Sequence, residues 1–311
     1  MLLKPEISVI ICTHNPRPAY LQRVLDCLQS QTLNCTEWEL ILVDNASASP
    51  LALSWNLDWH PHSQIVREES LGLTSARLQG FQAAQGEWLI FVDDDNLLDL
   101  NYLNQVHQTI QQYPTLGAFG GKSLPEFENS PPEWVAPFYS SLALRDLGEQ
   151  PLISPDVETV QSYPVYAPIG AGMAVRKQAL IPYVTRIQSG SQVVSDRKGK
   201  QLTSGGDNDM VLTVLQAGWQ IGYFPSLQLT HIIPPGRLDP NYLARLNHDS
   251  SRSWVQVLTI YRICPWPKIA KWTVWPRQFK AFFQYQAWKN TVAYIRWRGA
   301  CGLYEGLADI S

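Results

Sequence analysis

The first hundred residues alternate between short apolar runs and stretches with a helical period, and no other feature narrows the fold as much. ISVIICT (Ile7 to Thr13), WELILVD (Trp38 to Asp44) and EWLIFV (Glu87 to Val92) carry the β-branched and aromatic residues typical of strands. Between them, AYLQRVLDCLQSQ sets Leu21, Val24, Leu25 and Leu28 on one helical face. SLGLTSARLQGFQAAQG reads as a loop and a short helix closed by Gly86. NYLNQVHQTIQQYP adds a helix stopped by Pro114. Strands alternating with helices build βαβ units, so an α/β fold is expected, its mainly parallel sheet flanked by helices.

Ligands of open parallel sheets bind outside the carboxyl ends of the strands. Three such ends here carry polar residues: Thr13 with Asn15, then Asp44, then Asp93, Asp94 and Asp95. Their coincidence marks one candidate site. Adjacent like charges repel unless a cation sits among them. Carboxylates without a neighbouring His or Cys suit Mg²⁺ or Mn²⁺ rather than zinc. The triplet by itself equally fits the N-terminal cap of a helix over NLLDLNYLNQVH.

With 311 residues, 45% hydrophobic content and a net charge of −3, the chain is long enough for a large core and gives no reason to expect a nucleic-acid partner. Five cysteines at scattered spacings suggest neither a disulfide framework nor a zinc site, and read as reduced structural thiols. The N-terminus lacks the pattern of an export signal and no apolar run approaches the roughly 18 residues that span a bilayer, so a cytoplasmic protein is expected.

From about Pro125 to Pro168 the chain is rich in proline and aromatic residues, which suggests long surface loops. Ile169 to Leu180 returns to a strand and a helix start. SGGDNDM is read as a loop before a helix with Met210, Val211, Val214 and Leu215 apolar, followed by a strand with His231 at its end. Between Ser250 and Tyr304 there is no acidic residue, while basic residues and tryptophans interleave.

Six segments, SVIICTHNP, LILVDNAS, GLTSARLQG, WLIFVDDDN, GAGMAVRK and SGGDNDMVLTVLQAGW, fall in the order and approximate spacing of inverting family 2 glycosyltransferases. The chain resembles that family, of the bacterial polysaccharide type, over roughly residues 5 to 235. The resemblance implies a GT-A fold, Rossmann-like, with residues 1–245 as the catalytic domain, 1–115 its nucleotide-binding half and 116–245 its acceptor half. Residues 246–311 are then a helical, basic and aromatic extension.

The resemblance also implies roles. Thr13 and Asn15 lie where the family's first loop holds the nucleotide base, and Asp44 matches the acidic residue that accepts a hydrogen bond from it. Arg77 matches an arginine near the nucleotide; Leu78 stands where asparagine is usual. Asp93 and Asp95 fit the ends of an Asp-x-Asp motif, Asp95 as the direct metal ligand and Asp93 on the ribose or the ion. Asp94 shares the donor region without an assigned role. In SGGDNDM, Gly206 replaces the usual glutamate, Asp207 matches the general base and Asp209 is the reserve. Capping of the following helix by Asp207 or Asn208 is the other reading of this segment. His231 would meet the metal or the diphosphate. Gly172 and Met173 belong to the acceptor-side segment, and Trp134 either stacks on a sugar ring or packs in the interior.

The implied reaction moves a sugar from a nucleoside-diphosphate sugar to the hydroxyl of a glycan or lipid-linked glycan, with inversion and Mn²⁺ or Mg²⁺ as cofactor. A protein that binds a nucleotide sugar or glycan without turnover is the alternative, which Gly206 favours. The basic and tryptophan-rich segment 250–304 suggests a peripheral contact with the inner face of the plasma membrane, or a helical subdomain packed on protein.

Overall fold

The computed structural model describes residues 4–155, 160–190, 202–203 and 205–310. The first half contains β1 (Ile7–Thr13), α1 (Pro18–Gln29), β2 (Trp38–Asn45), β3 (Ser63–Glu68), α2 (Leu73–Ala83), β4 (Trp88–Asp93), β5 (Asn96–Leu98) and α3 (Tyr102–Gln112). The second half adds β6 (Leu116–Phe127), β7 (Leu152–Ile153), β8 (Ala174–Arg176), α4 (Ile181–Gln188), α5 (Gly206–Gln216) and β9 (Gln220–Ile233). It closes with α6 (Pro240–Ile260), α7 (Val274–Gln284) and α8 (Thr291–Asp309).

The strands form one mixed sheet in the order β3-β2-β1-β4-β8-β6-β9-β5, with β7 on β9. β3, β2, β1 and β4 run parallel, so their carboxyl ends share one edge. β8 is antiparallel to both β4 and β6, and β5 is antiparallel to β9.

Strand side chains alternate between faces, and here both faces are covered. Ile7, Val9, Ile11, Leu40 and Leu42 join Leu21, Val24, Leu25 and Leu28 of α1 in one core. Ile10, Ile41, Val43 and Phe91 join Met210, Val211, Val214 and Leu215 of α5 in the other. A third cluster ties a 3₁₀ run, Glu133–Leu142, to α6 and α8 through Val135, Phe138, Leu243, Leu246 and Ile295.

Five details depart from the sequence reading. No helix follows the aspartate triplet directly: Asn96–Leu98 pairs with β9 instead, and Asn101 caps α3. α2 ends at Ala83 with Ala84 as its cap, so Gly86 does not close it. Gly86 is there for close approach, since a Cβ would lie 2.8 Å from the Ile7 carbonyl carbon, and its N–H donates to Ser8 Oγ at 2.9 Å. The proline-rich region is less irregular than expected, because β6 runs through Pro125 to Phe127, hydrogen-bonded through its partners rather than favoured by its glycines. Asp207 and Asp209 stand inside the first turn of α5, not in a loop. Lastly, α6 runs unbroken through the expected boundary at 245/246, so the C-terminal region starts inside a helix that also serves the catalytic half.

Candidate active site

The parallel strand ends open on a cavity of about 480 Å³. Thr13, His14, Asn45 and Asp93 to Asp95 form its first wall. Arg77, Ile169 to Ala171 and Asp207 form a second group, and Ser140 to Ala143, His231, Arg237, Tyr242 and Leu246 complete the lining. Thr13, Arg77, Asp93, Asp94, Asp95, Asp207 and His231, all singled out from sequence, therefore meet in one place.

Sterics explain how the first wall is held. The Thr13 hydroxyl donates to Asp94 Oδ2, tying the turn after β4 to the end of β1. Burial pushes the Asp94 carboxyl up to about 6; the Thr13 hydrogen bond opposes this, and the charges of Asp95 and Asp93 add to it. Asp94, unassigned from sequence, thus joins two strand ends. Cys12 beside it is driven up to about 12, by burial above all, and stays a thiol at neutral pH.

Asp95 is buried. Its Oδ2 accepts from Arg237 Nη2 at 2.8 Å, and its Oδ1 lies 3.4 Å from His231 Nε2. Arg237 Nη1 sits 2.9 Å from the same His231 nitrogen. A guanidinium only donates, so Nε2 accepts and the ring proton stays on Nδ1. That buried Nδ1 has no hydrogen-bond partner among the described residues. Arg237 was missed from sequence. The signal was the turn PPGR after His231, a 3₁₀ turn over Pro235–Leu238 that folds the arginine back onto the strand end.

In the second group, Asp207 Oδ1 lies 2.6 Å from Arg77 Nη1, and Oδ2 accepts the Gly170 N–H at 3.1 Å. A Cβ on Gly170 would fall 2.3 Å from Asp207 Oδ2, so only glycine admits the carboxylate here. Gly170 was also overlooked. Arg77 is itself buried, with its guanidinium 5.5 Å from the Phe91 ring centroid. Asp207 stays part-exposed in the first turn of α5.

Six expected residues lie outside the lining. Asp209, the reserve base, is two residues along α5 from Asp207 and so points to the opposite face. Its Oδ1 accepts from Arg186 Nη2 and from the Tyr261 hydroxyl, each at 2.6 Å, in a buried junction of α4, α5 and α6. Burial raises its carboxyl against those two bonds. Asp44 accepts from the Ser47 and Leu51 N–H groups, both at 3.0 Å, and from Arg67 Nη1 at 2.7 Å. Burial raises its carboxyl, yet these donors outweigh it and leave Asp44 below the usual range. Its place is to shape the loop, while the next residue, Asn45, reaches the cavity. Asn15, at φ 49°, braces the same loop by accepting from the Ala48 N–H at 2.8 Å.

On the acceptor side, Met173 is wholly buried in the core and Trp134 packs against the third cluster. Gly172 adopts φ 71°, and its carbonyl accepts from the Tyr102 hydroxyl at 2.6 Å. Backbone direction decides this: Ile169 to Ala171 face the cavity just before the chain turns inward at Gly172.

Among the described residues no group of three or more His, Cys, Asp or Glu is arranged to hold a metal ion by itself. The carboxylates nevertheless fit a hard ion of the kind that keeps waters and takes one or two carboxylates with substrate phosphates, whereas His231, with Nε2 turned to Arg237 and its proton on Nδ1, offers no nitrogen lone pair to one.

Comparison with known proteins identifies the family and the fold. The sequence model of Glycosyl transferase family 2 matches residues 8–180. An uncharacterized glycosyltransferase of Haemophilus influenzae is 29% identical over 110 residues, 35% of this chain and 36% of that protein. This chain thus spans about a third of that relative's length. Among solved structures, S. aureus TarS residues 1–349 in complex with UDP-GlcNAc superposes with a TM-score of 0.53 at 15% identity, covering 98% of this chain and 90% of that one. GalNAc-T7 with UDP, GalNAc and Mn²⁺ gives 0.53 at 17% identity, covering 98% and 56%. At such identities the structural likeness speaks for the fold.

Proposed function

The chain belongs to glycosyl transferase family 2, and from that premise we propose that it transfers a sugar from a nucleoside-diphosphate sugar to an acceptor hydroxyl with inversion. The observation that carries the proposal is that Asp207 lines the same cavity as Asp93 to Asp95, its carboxylate held by Arg77 and the Gly170 N–H. Inversion requires a base on the side of the anomeric carbon away from the leaving group. Asp207 takes the proton of the acceptor hydroxyl as its oxygen bonds to the anomeric carbon and the bond to the diphosphate oxygen breaks. Arg77 and the Gly170 N–H fix the orientation of that carboxylate.

The UDP and UDP-GlcNAc bound to the structural neighbours support a nucleoside-diphosphate donor, which in this reading lies on the Thr13 and Asp93 side. Asp95 and Asp93 would hold Mg²⁺ or Mn²⁺, which when bound supplies Lewis-acid charge to the diphosphate. Arg237, donating to both Asp95 and His231, adds a fixed positive charge at the same corner. The acceptor is a glycan or lipid-linked glycan, met in cell-surface or extracellular polysaccharide synthesis on the cytoplasmic side.

Asp207→Asn keeps the size of the side chain and removes the base. It is expected to retain nucleotide affinity and melting temperature while transfer falls by about 10²–10⁴; retained turnover would move the base elsewhere. Chelation with EDTA is expected to weaken donor binding measured by calorimetry, and an unchanged affinity would remove the metal assignment. A second reading, a binder without turnover, is favoured by Gly206 at the position where the family usually carries glutamate. Neither transfer nor donor hydrolysis by the wild-type chain would decide for it.

A further inference from the structure

Sequence around α7 places Trp275, Phe279 and Phe283 four residues apart, hence on one side of the helix. Structure leaves that side open: Trp275 is 69% exposed, and Phe279 and Phe283 are both above half. The rings run on from one another, with centroids 5.6 Å apart for Trp275 and Phe279, 5.1 Å for Phe279 and Phe283, and 5.5 Å for Phe283 and Trp288. Trp272 and Trp288 extend the strip at either end, both exposed. The opposite side is occupied. Ala281 is buried, Phe282 meets Trp297 at 5.2 Å, and Trp297 Nε1 donates to the Gln278 carbonyl at 2.9 Å, which fastens α7 to α8.

A strip of exposed rings on a folded protein calls for a covering phase, because each aromatic side chain leaves a large apolar area in water. Charge identifies that phase. Lys268, Lys271, Arg277, Lys280 and Lys289 are exposed around the strip, and no acidic residue occurs between Ser250 and Tyr304. The nearest carboxylate facing α7 is Glu305 of α8, which accepts from Gln278 Nε2 at 2.9 Å and lies 3.2 Å from His248. No helix among the described residues is long and apolar enough to cross a membrane.

We propose that α7 and its flanking turns lie flat on an anionic lipid bilayer, the Trp272 to Trp288 ring strip entering the interface and the lysines and arginine meeting headgroups. Tryptophan and phenylalanine with surrounding bases are the side chains that bind this boundary. The N-terminal half of α6 lines the cavity through Tyr242 and Leu246, α6 packs along α8 and α8 against α7, so packed helices link the bilayer contact to the cavity. That a lipid-borne acceptor would then arrive at the cavity rests on the transfer reading; the docking does not.

The full chain is sedimented with vesicles of pure phosphatidylcholine and with vesicles containing equal parts of phosphatidylcholine and phosphatidylglycerol. Binding is expected on the anionic vesicles alone, weakening as salt rises. The triple variant Trp275→Ser, Phe279→Ser, Phe283→Ser and the pair Lys271→Glu, Lys280→Glu are each expected to bind about tenfold less or weaker. Every altered side chain is exposed, so unchanged melting temperatures certify the folds. Variants that sediment like the wild type overturn the proposal. So does a wild-type chain that ignores anionic vesicles, including one that self-associates in lipid-free sedimentation velocity and is made monomeric by the serine variant, which would assign the strip to a second copy.

Discussion

One wall of the cavity and the rest of its lining are assembled by different means. On the first, Thr13 and Asp93 to Asp95 stand at the ends of neighbouring parallel strands, so the register of β1 with β4, Cys12 beside Asp93, brings them together. The rest is gathered from afar: Asp207 comes from a helix start, while His231, from the far end of a fourteen-residue strand, and Arg237, from a 3₁₀ turn, close on Asp95. Local pattern suffices for the first wall. The rest depends on long-range packing, and side chains adjacent in sequence end up with unrelated duties.

The sharpest test of that contrast is the pair of aspartates on α5. Asp207→Asn, as above, should remove transfer and spare stability; Asp209→Ala should do the reverse. Losing the Asp209 carboxylate removes the anion that faces the buried Arg186 guanidinium and one of the acceptors of the Tyr261 hydroxyl, at a cost of about 3 kcal/mol read from denaturant unfolding. A stable but inactive Asp209→Ala chain would undo the distinction between them.

Next in size is Gly170→Ala. The added methyl displaces the part-exposed Asp207 carboxylate rather than the core, so the fold should survive while kcat/KM falls by up to about 100-fold. Full activity in this variant would show that the Gly170 contact does not set the position of the base.

The smallest effect belongs to the loop behind the first wall. Asp44→Asn should cost about 1–2 kcal/mol at neutral pH, because its donors lose a charged acceptor. Asp44 is depressed in the folded chain, so its contribution is present above the unfolded carboxylate value of about 3.9 and is lost as pH falls through the folded value. Wild type and variant should therefore converge in stability below about pH 4. A gap that persists in acid would mean that the charge on Asp44 is not what holds the loop.

Legibility followed the same division. The apolar runs at Ile7, Trp38 and Trp88 announced the parallel half of the sheet, since strands buried on both faces have little room for polar residues. β3 and β6 escaped notice because one is a half-buried edge strand of mixed polarity and the other is broken up by glycines and a proline. Among site residues, the aspartate triplet was visible by its placement. Asp44 looked equivalent, yet its carboxylate is consumed by two backbone N–H groups and Arg67.

What the sequence by itself determined is the α/β class, the family and the set of strand ends that carry chemistry, because side-chain periodicity and burial are local properties written in residue order. The tertiary structure alone decided which carboxylate faces the cavity. Asp207 and Asp209 have the same chemistry and almost the same address, and the helical rotation between them sends one to Gly170 and Arg77 and the other to Arg186 and Tyr261. It also brought Arg237 to Asp95 across 142 positions of chain, a meeting that no local pattern encodes.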